Sequence, residues 1–132
     1  MKKVFAILSV MLVAVLLLSA CKKEDERDKF VGTYKVIEKE AGYLDEEYNI
    51  TITKSSSNTT DIVISGVFTW LQPNISCTGT VNGSSVTIPT QTYAGIVSFS
   101  GSGNLYGVNL SLGMLLTYDG GSHSVSITGN KM

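Results

Sequence analysis

The sequence predicts an all-β domain of about eight short antiparallel strands, and three observations predict it. From Phe30 onward the apolar side chains recur with period two: Tyr48, Ile50 and Ile52 alternate with Asn49, Thr51 and Thr53, which puts one face in a core and the other in water. Turn formers, among them Asn82-Gly83 and Asp119-Gly120-Gly121, punctuate the alternation at short intervals. Beyond Glu47 the chain is Ser, Thr, Asn and Gly interleaved with aliphatics, and only Lys54, Asp61, Asp119 and Lys131 carry charge. That composition favours strands over helices.

The first element is of another kind. Lys2 and Lys3 form a short basic start, Val4 to Leu18 an apolar run interrupted only by Ser9, and Leu18-Ser19-Ala20-Cys21 closes it. This fifteen-residue run as a helix spans only about 22 Å, short of the roughly 20 residues a bilayer crossing needs. The pattern is a secretory signal with small residues before its cleavage site. Leu18 to Cys21 resembles the lipobox of bacterial lipoproteins. That resemblance implies a helical signal peptide over residues 1–20, with Leu18, Ser19 and Ala20 recognised by the signal peptidase. It implies cleavage before Cys21 and a diacylglycerol and an N-acyl chain on that cysteine. Two or three acyl chains anchor stably where one is marginal.

Residues 22–29, Lys-Lys-Glu-Asp-Glu-Arg-Asp-Lys, are eight consecutive charged side chains. They have no apolar area to bury and are expected to stay extended and solvated, a tether over residues 21–29. A lysine and an acidic cluster just after a lipidated cysteine are similar to the surface-export signal of Bacteroidetes lipoproteins. The resemblance implies an outer-membrane protein facing the cell exterior, the periplasmic face being the alternative.

The domain is expected over residues 30–132, with strands at about 31–38, 47–54, 61–67, 75–81, 85–89, 95–102, 108–118 and 122–128. Asn82-Gly83 suits a type I′ hairpin because both residues tolerate positive φ, and Asp119-Gly120 does similar work. Consecutive hairpins make antiparallel neighbours. Eight in a row fit a meander closed into a barrel, which removes exposed edges; a two-sheet sandwich of the same strands is the alternative. The opening Gly32-Thr33-Tyr34 is similar to the Gly-x-Trp start of lipocalins and other calycins, with Tyr34 in the tryptophan position. Together with Thr51 to Lys54 and Ile88-Pro89-Thr90-Gln91, it resembles the calycin-like domains of small Bacteroidetes lipoproteins. Lipocalins typically close the barrel base with an arginine packed over that tryptophan, and this chain departs from them in having no arginine after Arg27.

Candidates for chemistry are few. After residue 20 the chain keeps eight basic and eleven acidic residues, a formal charge of −3, without the clustered Lys and Arg that phosphate binding needs, so nucleic acid is not an expected partner. His123 is the only histidine and reads as a solvated turn residue. Cys77, in line with Ile75, Gly79 and Val81, reads as a buried small hydrophobe with no cationic neighbour to activate it. Glu38, Glu40, Asp45, Glu46 and Glu47 lack the spacing of a calcium loop and read as a solvated loop. No catalytic residue, metal site or cofactor is expected, apart from the lipid on Cys21. Phe68, Trp70 and Leu71 break the alternation just before Pro73. They are the candidate contacts for a ligand or partner if the barrel has a mouth, or else a plug of its end. The expected function is binding without catalysis: a small apolar or sugar ligand held by the barrel, or, as the alternative, contact with an envelope protein through a filled one, peptidase inhibition included.

Overall fold

The computed structural model of the protein describes residues 24–132; the segment expected to be a signal peptide, with Leu18, Ser19 and Ala20 as its expected recognition residues, and Cys21 lie outside them. Eight strands run in chain order: β1 Gly32–Glu40, β2 Glu46–Lys54, β3 Asp61–Val67, β4 Ile75–Asn82, β5 Ser85–Tyr93, β6 Val97–Tyr106, β7 Asn109–Tyr118 and β8 Gly121–Lys131. Each pairs antiparallel with the next, and β8 returns to β1 with Val36 opposite Gly129, so the meander is a closed barrel and not a sandwich.

Period-two alternation sorts the wall. Val36, Ile50, Ile52, Ile62, Ile64, Ile75, Ile88, Leu110, Leu112, Leu116 and Ile127 are buried and belong to one core, while Thr51, Thr53, Thr80, Thr87, Ser111, Ser126 and Thr128 face out. A wall apolar inside and hydroxylated outside is the inverse of a membrane-spanning barrel. Large side chains fill the interior from both ends, with Phe30 and Tyr34 at one and Phe68 and Phe99 towards the other.

Two irregularities shape the wall. The first hairpin turn differs from its expectation: pairing runs to Asn82 opposite Ser85, so the central residues are Gly83 and Ser84. Gly83 takes φ 63 and Asn82 no positive φ, the backbone of a II′ turn, in which Gly leads. Asp119-Gly120, at φ 49 and 74, is the expected I′ pair. The second lies in β5, where Pro89 has no N–H to give the ladder. β4 and β5 pair only from Thr80 to Asn82. Above that, the Gln91 side chain stands in for a strand: its amide oxygen accepts from the Thr78 N–H at 2.8 Å and its amide nitrogen donates to the Thr78 carbonyl at 2.6 Å.

One end of the barrel is shut by the segment expected to be a free tether. The Arg27 guanidinium is held by Asp25, with the closest contact at 2.7 Å, and donates to the carbonyls of Ser55, Asn58 and Asp61 at 3.3, 2.9 and 3.2 Å. Lys54 pairs with both Asp25 and Asp28. The packed unit therefore begins at Asp25 rather than Phe30. Asp25, Arg27 and Asp28 are charge-paired with one another or with Lys54 at the end of β2, and carbonyls of the β2–β3 loop receive the guanidinium, so the segment docks where a bare charge run stays in water. The same end seats a cation beside the aromatic ring of β1. Lys131 places its ammonium 5.6 Å from the centre of the Tyr34 ring, and the Tyr34 hydroxyl donates to the Phe30 carbonyl at 2.8 Å. A cation over the aromatic is thus present, supplied by lysine from β8.

Candidate functional site

The opposite end is formed by the β1–β2 loop, the β3–β4 loop and the Tyr118–Gly121 turn. On β1 the inward positions run Tyr34, Val36, Glu38 and Glu40, because the strand continues to Glu40. Two carboxylates therefore enter the top of the barrel, where the sequence reading had them in a solvated loop. Glu38 is 4% exposed. One of its oxygens accepts from the Trp70 indole N–H at 2.5 Å and the other from the Tyr48 hydroxyl. Burial pushes its pKa up, and the two hydrogen bonds oppose that without cancelling it. Burial first, and then the Glu38 carboxylate, hold the Tyr48 phenol well above its ordinary range.

Glu40 sits at the rim. It meets His123 Nδ1 at 2.6 Å, and the His123 ring stacks on Tyr118 with centroids 4.3 Å apart. His123 is therefore not a solvated turn residue: it lies on β8 opposite Leu116, and its alternation with Val125 and Ile127 turns it inward. Tyr118 meets the Trp70 ring edge-on at 5.7 Å. Acid, imidazole, phenol and indole form one connected group, drawn from β1, β7, β8 and the β3–β4 loop.

Beside this group lies a cleft of about 450 Å³, lined by Glu38, Glu40, Gly42, Tyr43, Leu44, Glu46, Trp70 and Tyr118. A hollow of about 630 Å³ on the outer wall, over Lys35, Ile37, Tyr106 and Asn130, contains no buried carboxylate, so the mouth is the better-built site. Of the three expected contact residues only Trp70 reaches the cleft, 39% exposed. Phe68 points inward, fully buried and 6.0 Å from the Phe99 ring, and Leu71 packs against the same core. Cys77 is buried, and burial pushes its thiol up to about 12, as befits an unreactive hydrophobe.

Sequence reasoning missed Glu38, Glu40, Tyr48, Tyr118 and His123. The spacing Tyr34-Val36-Glu38-Glu40 carried the signal for the acids, once β1 is extended by one more inward position.

The raised pKa of Glu38 gives a pH dependence of definite sign. Its share of the stability is fully present below pH 4.5, the usual glutamate value, and is lost as pH rises through its higher folded value. In thermal melts of wild type and Glu38→Gln across that window, wild type should lose ground to the variant as pH rises. A constant gap between the two would remove Glu38 as the cause.

Fold and mouth together define a small calycin-like barrel, closed at one end and carrying an aromatic, acid-lined cleft at the other. No family model matches the chain, and no curated protein matches it. Among solved structures it is similar to that of EF1p2_mFAP2b bound to DFHBI, at 14% identity and a TM-score of 0.60, over 83% of this chain and 100% of the other. A weaker likeness, at a TM-score of 0.48 and 13% identity over 80% of this chain, is to a protein of unknown function from the DUF3598 family of Nostoc punctiforme. The matched part is 48% of that chain. At 14% identity the first of these likenesses speaks to fold alone.

Proposed function

We propose that the protein is a lipid-anchored barrel of the bacterial cell surface that binds a small ligand at its mouth and catalyses no reaction. The observation that carries the reading is the cleft, where Trp70 and Tyr118 form an aromatic corner over a fixed carboxylate. The DFHBI-bound barrel of the same architecture supports it, because that protein accommodates a small molecule on a similar scaffold. The anchoring half rests on Leu18 to Cys21. It is in keeping with the docking of residues 25–29 on the closed end, which brings the chain into the fold at the end away from the mouth. The ligand sits in the mouth rather than in the interior, because Phe68 and Phe99 occupy the space beneath.

Native mass spectrometry of the protein after incubation with growth-medium extract tests the binding half. An additional mass released by denaturation and absent in Trp70→Ala is expected; a bare protein mass in every extract would remove the ligand reading. For the anchor, Cys21→Ser is expected to leave the precursor uncut and unacylated, read as intact mass and loss of lipid labelling. Processing unchanged in that variant would refute the lipobox.

A second reading has an observation of its own. Leu44 is 90% and Tyr43 64% exposed at the tip of the β1–β2 loop, so the rim also offers an apolar contact to an envelope protein. Crosslinking from position 44 in cells, with a discrete adduct, would favour it.

A further inference from the structure

We propose that the mouth cleft selects a small organic cation, an alkylammonium head carried on a compact apolar body. The inference rests on reading the mouth as a ligand site and names the chemistry it takes. Trp70, Tyr118 and Tyr43 supply ring faces and edges around a space of about 450 Å³, a geometry in which the negative faces of aromatic rings attract a cation. Trp70 is held for this role: its N–H is committed to Glu38 at 2.5 Å, which fixes the ring, and donation to a carboxylate makes the indole richer in electrons.

Acids line the cleft without a lysine or arginine among them, and His123 stands behind Glu40 at 2.6 Å. Glu38, Glu40 and Glu46 all line it, and among the described residues none of its lining side chains is cationic. The nearby lysines are engaged on the outer wall, Lys35 with Glu47 at 2.8 Å and Lys39 with Asp45 at 3.5 Å. Glu40, whose side chain is 12% exposed, and Glu38, 4% exposed, keep their carboxylates partly shielded from water, where a charge acts more strongly on a ligand than at an open surface. An anionic ligand meets repulsion there. A neutral sugar can use the ring faces but gains nothing from the field. A divalent metal finds no cluster of three ligating side chains among the described residues, and Glu38 and Glu40 are already held by Tyr48, Trp70 and His123.

Trp70 is the only tryptophan of the chain, so its fluorescence reports on the cleft without a label. The probes are choline, its neutral carbon isostere 3,3-dimethylbutan-1-ol, and methyl β-glucoside, titrated into wild type and into Glu40→Gln/Glu46→Gln, which keeps side-chain shape; circular dichroism checks its fold. Choline is expected to bind about tenfold tighter than the isostere, the size of a partly desolvated cation–π and charge preference, and the double variant to lose that margin. Equal affinity for choline and the isostere, or a response to the glucoside alone, overturns the cation inference and leaves the mouth a ligand site. If no probe moves the emission of Trp70, cation inference and ligand reading fall together.

Discussion

Gly129→Ala is expected to destabilise the barrel by about 3 kcal/mol or more, the upper end of what overpacking costs. A Cβ at Gly129 would stand 2.1 Å from the Lys35 carbonyl oxygen and 2.7 Å from the Val36 Cα. Both are backbone atoms of the paired strand, so no rotamer change relieves the clash. This is also the seam where β8 meets β1, the pairing that closes the barrel, and separating the strands there undoes the closure on which every other pair depends. Against a total stability of about 5–15 kcal/mol for a small domain the loss is large. Gly113→Ala is the control: it lies within β7, where the nearest atom to an added Cβ is 4.0 Å away. A strand glycine with open space loses backbone entropy without compensation, so this variant should hold its stability or gain about 0.5 kcal/mol. Urea midpoints of the two variants decide the matter. Equal midpoints would show that close approach at the seam is not what requires glycine.

Phe68→Ala is expected to cost about 3–5 kcal/mol, the range for removing a fully buried aromatic ring. Phe68 is 0% exposed, packs on Phe99 and follows the last residue of β3. It also holds the left-handed backbone at φ 51, an uncommon conformation for a bulky residue. The chain turns there so that the ring folds inward while Trp70, two positions on, remains at the cleft. Alanine keeps the strained backbone and loses the ring, leaving an apolar void beneath the mouth. Such voids stay dry and take up small apolar molecules. Benzene should therefore raise the melting temperature of Phe68→Ala and leave wild type unmoved. If the variant melts as wild type does, the ring is not the plug described, and the interior beneath the cleft is more open than the packing of Phe68 on Phe99 implies.

The strands were legible from alternation almost to their ends. β3 begins and ends where periodicity puts it, and β4 is longer by a single residue. β5 and β6 run further than expected, to Tyr93 and Tyr106, because their outer halves are broken in pattern by Pro89 and by the glycines at 101 and 103. A proline and missing side chains hide a strand from a count of apolar positions without preventing it, since β5 continues past its irregularity on the β6 side alone. Trp70 was legible as a contact residue, but its neighbours were not separable from it: a run without alternation does not say which ring turns inward. Glu38 was lost to its charge. An acid at an inward position reads as the end of a strand until its two donors are known, and Tyr48 and Trp70 lie 10 and 32 residues away.

By itself the sequence determined that the domain is all-β, that its neighbours pair through short turns, and which aliphatic side chains of the alternating strands face the core. These are local properties, set by alternation, turn chemistry and charge over a few residues. The tertiary structure decided whether the sheet closes on itself, since that depends on β1 meeting β8 across the whole domain. It decided that Arg27 and Asp25 dock on the base instead of trailing into water. It also brought Glu40 to His123, 83 residues apart. In each case the deciding energy is a hydrogen bond, a charge pair or a close backbone approach between distant segments, and only the closed barrel brings those groups within reach of each other.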